Sequence, residues 1–422
     1  MRILRHTDPD FPANLAVLKR HAGTSPQVRQ VVQDVLTAMR TEGDSALLRF
    51  TERFGGPRLT AEQLAVVGKP AIDARTRQAI AIAHANVLAF ARKSLRKNWS
   101  MKNAQGAFVG ERFDSFQRVG IYVPGGTAPL VSTAVMTVTL AAAAGVPQIV
   151  VTTPCGPDGA INAALHHALA FCGATELYRV GGAQAIGALA YGTRTIAPVQ
   201  KIFGPGNAYV VEAKRQVFGQ VAIDLLPGPS EILVLADASA NPAWIAADLL
   251  AQAEHGKGSS ILFLTNSARQ LQAVEAAMTE QLATLNRQAH LAGVIEDSCA
   301  LILVKSLNDA VVIANDFAPE HISIVTRDDD RIAAQIHTAG AIFLGGFSPV
   351  AAGDFLAGPS HTLPTGGAGK SFTGLPVDMF QRRTSLVRLD AKSLKKSVPT
   401  IARLAETEGL DAHARSATIR LE

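Results

Sequence analysis

The chain has only three cysteines in 422 residues, Cys155, Cys172 and Cys299. So few thiols, so widely spaced, exclude a disulfide framework and a thiolate metal cluster, and they read as reduced, buried residues of a cytoplasmic protein. Aromatic side chains that could stack on bases are also scarce, with four Tyr and two Trp. No basic tract stands out: the formal net charge of +5 comes from 40 Lys and Arg against 35 Asp and Glu spread along the chain. Nucleic-acid binding is therefore not expected. Charged residues reach only 18% against 48% hydrophobic, a shortfall of surface charge that a large oligomer interface would absorb. The opening MRILRHTDPDFPANLAVLKR lacks the apolar run of a signal peptide, so export is not expected either. Residues 120–157 carry no charge, and 131-VSTAVMTVTLAAAAGVPQIVV-151 has the length of a membrane span. Pro147 and the glycine flanks instead divide it into an Ala-rich helix and a short β-branched strand, the pattern of a buried α/β layer.

A single core rarely grows past ~250 residues, so more than one domain is expected. Residues 22–105 read as helical, with 74-ARTRQAIAIAHANVLAFARKSLRK-97 the longest periodic stretch. From residue 118 short apolar runs alternate with loops and Ala-rich helices: VGIYV, QIVVTTP, ELYRVG, VQKIFG and VAIDLL, then EILVLAD, ILFLT, LILVK, HISIV and AIFLG. This alternation predicts an α/β protein with two Rossmann-like α/β/α domains built on mostly parallel sheets. The expected division is an N-terminal arm over 1–21, a first α/β domain from 22–118 and 236–374, and a second over 119–235. A C-terminal segment, 375–422, ends in helix 400–410 and a short tail, and is expected to pack on a partner subunit.

Two loops place glycines where a strand feeds a helix, 121-IYVPGGTAPL-130 and 203-FGPGNAYVVEAKR-215. Neither is G-x-G-x-x-G, since Tyr209 stands where the third glycine after Gly204 and Gly206 would fall. They are either amide-lined phosphate cradles or simple tight turns. A third such place is 181-GGAQAIGAL-189, where Gln184 could meet a cofactor or cap a helix.

Polar outliers in four places suggest a metal site in pieces. Asn241 as cap, Pro242 and Gly256 mark a helix over 242–255, on which Gln252 and His255, three apart, would share a face. Asp354 and His361 lie in the Gly- and Pro-rich 351-AAGDFLAGPSHTLPTGG-367, and Glu408 and His413 in 408-EGLDAHARS-416. Gln252, His255, Asp354 and His413 form a reasonable nitrogen and oxygen set for zinc, although spacing alone does not assemble it. In 317-FAPEHISIV-325 a carboxylate and an imidazole stand side by side just before an apolar run, as Glu320 and His321.

From about residue 22 to the end the chain resembles the histidinol dehydrogenase family. The markers are YVPGGTAPL, GGAQAIGALAYGT, KIFGPGNAYVVEAKR, AIDLLPGPSEILVLAD, LLAQAEHG, FAPEH, AGDFLAGPSHTLPTGG and EGLDAHARSATIRL, in that order. The resemblance implies oxidation of L-histidinol to L-histidine through L-histidinaldehyde, with two NAD+ and one Zn2+ per subunit. It implies Gln252, His255, Asp354 and His413 as zinc ligands, and these with Ser230, Glu320, His361 and Glu408 as the substrate site. Glu320 and His321 would be the acid–base pair, and Tyr122, Gln184 and Asn207 the NAD+ contacts. The first domain would then carry most of the zinc and catalytic residues and the second would bind NAD+. Glu408 and His413 would come from the other subunit of a homodimer. Alternatives are a relative acting on another small polyol or a sulfonated propanediol, and a non-catalytic NAD- or metal-binding protein. Either would be expected to depart at the imidazole contacts or to have lost a ligand or one of Glu320 and His321.

Overall fold

Strand Glu231–Ala236 has the sequence EILVLA, and all of its residues are buried. Such a run suits the middle of a parallel sheet covered on both faces. In the computed structural model, which describes residues 1–18, 23–125 and 129–422, it is central to a six-stranded sheet. The order is Arg2–Arg5, Cys299–Leu303, Ser260–Thr265, Glu231–Ala236, His321–Val325, Ala341–Leu344, every pair parallel. The chain steps outward from Glu231–Ala236 to one side and then returns to its other side at His321–Val325. The order therefore reverses between these two strands. A second parallel sheet runs Glu176–Tyr178, Gln148–Thr152, Arg118–Tyr122, Lys201–Phe203, Ala222–Ile223, and reverses between Arg118–Tyr122 and Lys201–Phe203. All ten apolar runs picked out by their alternation with helices are strands, in two Rossmann-like units.

Helix packing divides the chain differently from the expected boundaries. On one face of the five-stranded sheet, Val35, Leu36 and Met39 of helix Pro26–Glu42 and Leu47 and Phe50 of helix Asp44–Arg53 join Ile186, Leu189 and Val210. On its other face, Ile80, Val87 and Ala91 of helix Ala74–Ser94 join Met136 and Leu140 of helix Val131–Ala143. The N-terminal helices thus belong with residues 118–223, not with 236–374. An amphipathic stripe reports that a helix has a buried face, but not which sheet will cover it. The expected arm over 1–21 supplies an edge strand, Arg2–Arg5, and Glu231–Ala236 belongs to the six-stranded sheet rather than to the 119–235 unit. Helix Val131–Ala143 fills the core of the five-stranded unit, and among the described residues no helix is long and apolar enough to cross a membrane.

Residues 99–102, expected to be helical, form a strand. Trp99–Lys102, Phe108–Ser115 and Gln381–Arg388 make a three-stranded antiparallel sheet, with Gln381 opposite Ser115 and Arg388 opposite Phe108. Their burial pattern is weak and mostly exposed, so no local period marks them; long-range pairing creates them. Beyond this sheet, helices Ala391–Thr407 and Asp411–Thr418 pack chiefly on each other.

Candidate active site

Helix Leu307–Phe317 ends at Ala318, whose φ of 51° is the one positive value of a non-glycine among the described residues. A left-handed residue at this position closes a helix, and here it turns the chain so that Pro319 and Glu320 lead straight into strand His321–Val325. Ala318 is fully buried. Ala318→Val is therefore expected to lower the unfolding free energy by about 2 kcal/mol, because a β-branched side chain is strained at positive φ and overpacks the site. Ala318→Gly should stay within ~1 kcal/mol, loss of strain being offset by a freer unfolded chain. Urea melts of the two variants check this.

Glu320 and His321 are both buried at the N-terminal end of their strand, beside the start of Glu231–Ala236 and at the point where strand order reverses. Glu231 holds them through three bonds and anchors itself to Gly366 by a fourth. Its amide donates to Glu320 Oε2 at 2.8 Å, and its carbonyl lies 2.9 Å from His321 Nδ1. Its side chain accepts from the Glu320 amide at 3.2 Å and from the Gly366 amide at 2.5 Å. A carbonyl can only accept, so His321 Nδ1 carries a proton, and in the neutral ring Nε2 presents the lone pair. Glu320 Oε2 also accepts from the Ser230 hydroxyl at 2.5 Å and stands 3.5 Å from His321 Nδ1. Burial raises the Glu320 carboxyl above its ordinary range; His321, the Ser230 hydroxyl and His255 oppose the rise, and Asp354 adds to it. A buried carboxyl raised in this way is a stronger base, when ionised, than an exposed one.

Asp354 and His361 face the same point. His321 Nε2 is 3.8 Å from Asp354 Oδ1, and His361 Nδ1 is 4.0 Å from it. His361 Nδ1 donates to the Asp354 carbonyl at 3.0 Å, leaving Nε2 to accept from Thr133 Oγ1 at 3.2 Å. Burial lowers the His361 pKa, against the pull of Asp354. The Thr133 bond crosses from one Rossmann-like unit to the other, a contact that sequence reasoning did not find.

The helix bearing Gln252 closes at Ala253, two residues earlier than expected, so His255 lies just past its end rather than on its face. Gln252 is buried with its Nε2 unpartnered, while His255 is exposed yet near enough to act on both Glu320 and His361. A carboxamide oxygen, an imidazole and the Asp354 carboxylate are donor types a borderline cation accepts. No group of three or more His, Cys, Asp or Glu side chains gathers as a metal site among the described residues. The other two expected site residues, Glu408 and His413, are exposed in the C-terminal helical segment.

The remaining candidates line a cavity of about 790 Å³ at the carboxyl ends of the five-stranded sheet, over its own reversal of strand order. Ligands of open α/β sheets bind at such points. Tyr122 closes its strand, and its hydroxyl accepts from the Gly182 amide at 3.3 Å. Gln184 is not a cap; it is buried inside helix Gly182–Tyr191 with Oε1 unpartnered. Asn207 does cap helix Ala208–Val217, its Oδ1 accepting from Tyr209 and Val210, and it lines the cavity as well. Of the loop 121–130, Gly126, Thr127 and Ala128 lie outside the described residues. Cys155 is half-buried at this cavity rather than in a core, whereas Cys172 and Cys299 are buried as expected.

The family model for histidinol dehydrogenase matches residues 18–421. The chain belongs to the histidinol dehydrogenase family. It is 42% identical to the histidinol dehydrogenase of Syntrophotalea carbinolica, over 100% of this chain and 99% of the relative. It is 43% identical to that of Brucella abortus strain 2308, over 99% of each. The crystal structure of histidinol dehydrogenase from Elizabethkingia anophelis superposes with a TM-score of 0.94 at 33% identity, covering 100% of this chain and 98% of that one. The fold alone reaches further: an acetylating aldehyde dehydrogenase from Geobacillus thermoglucosidasius gives a TM-score of 0.51 at 15% identity, over 90% of this chain and 94% of that one. This member of the oxidoreductase family owes the placing of Glu320 and His321 to Glu231, which the sequence reading passed over. Its signal was present, a carboxylate opening an otherwise apolar strand.

Proposed function

We propose that this enzyme oxidises L-histidinol to L-histidine through L-histidinaldehyde, with two NAD+ as successive hydride acceptors and one zinc ion per subunit. The observation that carries the reading is the convergence of Ser230, Glu320, His321, Asp354 and His361 from separate segments on one point. In the first step His321 Nε2 takes the hydroxyl proton as the carbinol hydride leaves for NAD+. In the second, Glu320 accepts a proton from the water that adds to the aldehyde carbon. Its Oε1 is the oxygen free for this, since Oε2 is held by Ser230 and Glu231. His321 returns the proton of the first step to the aldehyde oxygen, completing the gem-diol, and then takes a proton from the gem-diol as the second hydride departs; both residues release their protons to solvent with the product. Burial of both residues excludes other water and keeps the aldehyde from escaping.

Gln252, His255 and Asp354, with His413 of the partner subunit, would hold the zinc. The metal supplies a fixed positive anchor for the substrate's amine and imidazole nitrogens, a template role. Ser230, His361 and the partner's Glu408 would complete the substrate site. Tyr122, Gln184 and Asn207 would hold the dinucleotide in the 790 Å³ cavity. A homodimer is supported by the C-terminal helices, which leave Leu404, Leu410, Ile419 and Leu421 exposed for want of a body to pack on. A cytoplasmic location is supported by the three cysteines, all unpaired, in a member of a biosynthetic enzyme family.

The test is NADH formed per L-histidinol consumed, with and without a zinc chelator. Two NADH, abolished by chelation and restored by zinc, is the expected result; no reduction by histidinol in protein that binds zinc and NAD+ would overturn the substrate. His413→Asn is expected to weaken zinc binding beyond the ~10–100-fold typical of an outer-shell change. Metal analysis under a chelator series reads this, and unchanged zinc content would remove His413 from the ligands.

A further inference from the structure

The side chains of Lys214 and Asp224 form an ion pair with no exposed surface, and neither takes part in the chemistry above. Lys214 projects from helix Ala208–Val217, and Asp224 follows the short strand Ala222–Ile223. Both close on one residue. Lys214 Nζ donates to the Gly204 carbonyl at 2.8 Å, and Asp224 Oδ2 accepts from the Gly204 amide at 2.8 Å. The remaining carboxylate oxygen bonds the ammonium itself. Gly204 has a φ of 105°, and a Cβ there would stand 2.0 Å from the carbonyl oxygen of Tyr122. The backbone leaving strand Lys201–Phe203 is thus pressed against the end of strand Arg118–Tyr122, at the reversal of strand order. Tyr122 and Asn207, on either side of this contact, both line the cavity.

A buried ion pair adds little net stability over apolar side chains of similar volume. Bonds from charged groups to both polar atoms of one glycine do something more specific: they hold that residue in a single orientation. We infer that Lys214 and Asp224 are positioning residues for the dinucleotide, locking Gly204 so that Tyr122 and the 204–207 turn keep the spacing the cofactor requires. The inference rests on the assignment of this cavity to NAD+.

The decisive variant is the double replacement Lys214→Met with Asp224→Leu, which removes both charges without stranding either. It is expected to raise the KM for NAD+ on the order of tenfold, with a parallel rise in the NADH dissociation constant by fluorescence titration. The KM for L-histidinol and the zinc content should not move. Asp224→Asn keeps an acceptor for the Gly204 amide and should show a smaller rise in the same direction; it decides the matter if the double variant does not fold. Gln184→Ala is measured alongside. If it raises the KM for NAD+ while the folded pair variants leave it unchanged, the positioning role is overturned and the cavity assignment stands. If none of the three moves it, the cavity does not bind the dinucleotide and the inference falls with that reading. An equal loss of NAD+, histidinol and zinc binding would make the pair a merely structural element and would also overturn it.

Discussion

Replacement of His321 by Asn is expected to lower kcat by about 10³–10⁴-fold for both oxidations, since general-base catalysis contributes up to ~10⁴. The Asn side-chain amide can still donate to the Glu231 carbonyl that now holds Nδ1 at 2.9 Å. The backbone register of His321 against Ile232 and Ala341 needs no imidazole. Folding and the KM for L-histidinol should therefore be nearly unchanged, and the loss confined to kcat. Neither Asp354 nor His361 is placed to substitute. The Asp354 carboxylate near Nε2 is the proposed metal ligand, and His361 Nε2 is already bonded to Thr133. NADH formation measured separately from histidinol and from histidinaldehyde checks this; retention of either step to within ~10-fold of wild type would exclude His321 as the shared base.

Glu320→Gln is the second large effect, and it should be unequal. Only the aldehyde step needs a water activated, so that step is expected to fall by about 10²–10³-fold and the alcohol step by less than ~10-fold. The carboxamide cannot accept the water's proton. It can keep one acceptor toward Ser230 and the Glu231 amide, so the fold should survive. The pH profile adds a second signature. Burial raises the Glu320 pKa, and the base is the ionised form, so in the native enzyme the aldehyde step should decline as pH falls through that raised value. The variant should lose this acidic limb while the alcohol step keeps its own profile. Equal losses in both steps would remove Glu320 from the hydration of the aldehyde.

Much of this was legible in the chain, for identifiable reasons. Parallel strands buried on both faces must be continuous apolar runs, so EILVLA or ILFLT announces itself without a partner in view. The strands Phe108–Ser115 and Gln381–Arg388 do not, because they are largely exposed and exist by pairing across more than 260 residues. The adjacency of Glu320 and His321 survived folding because both flank one strand start. The pair Gln252 and His255 was read as one helical face, yet the helix closes at Ala253 and leaves only Gln252 buried. Helix length there turns on tertiary contacts, which periodicity does not report.

The sequence by itself determined the α/β class, ten of the eleven parallel strands among the described residues and the residue types from which a site could be drawn, since each depends on local pattern and chemistry. Only the tertiary structure decided where those residues stand. It sets the Glu320–His321 pair at the amino ends of one sheet and the 790 Å³ cavity at the carboxyl ends of the other. It assigns the N-terminal helices to the five-stranded unit, and it lets Glu231 grip both Glu320 and His321 through its backbone and side chain. These are contacts between segments far apart in the chain, and their free energy depends on which surfaces meet, a property no local stretch of residues carries.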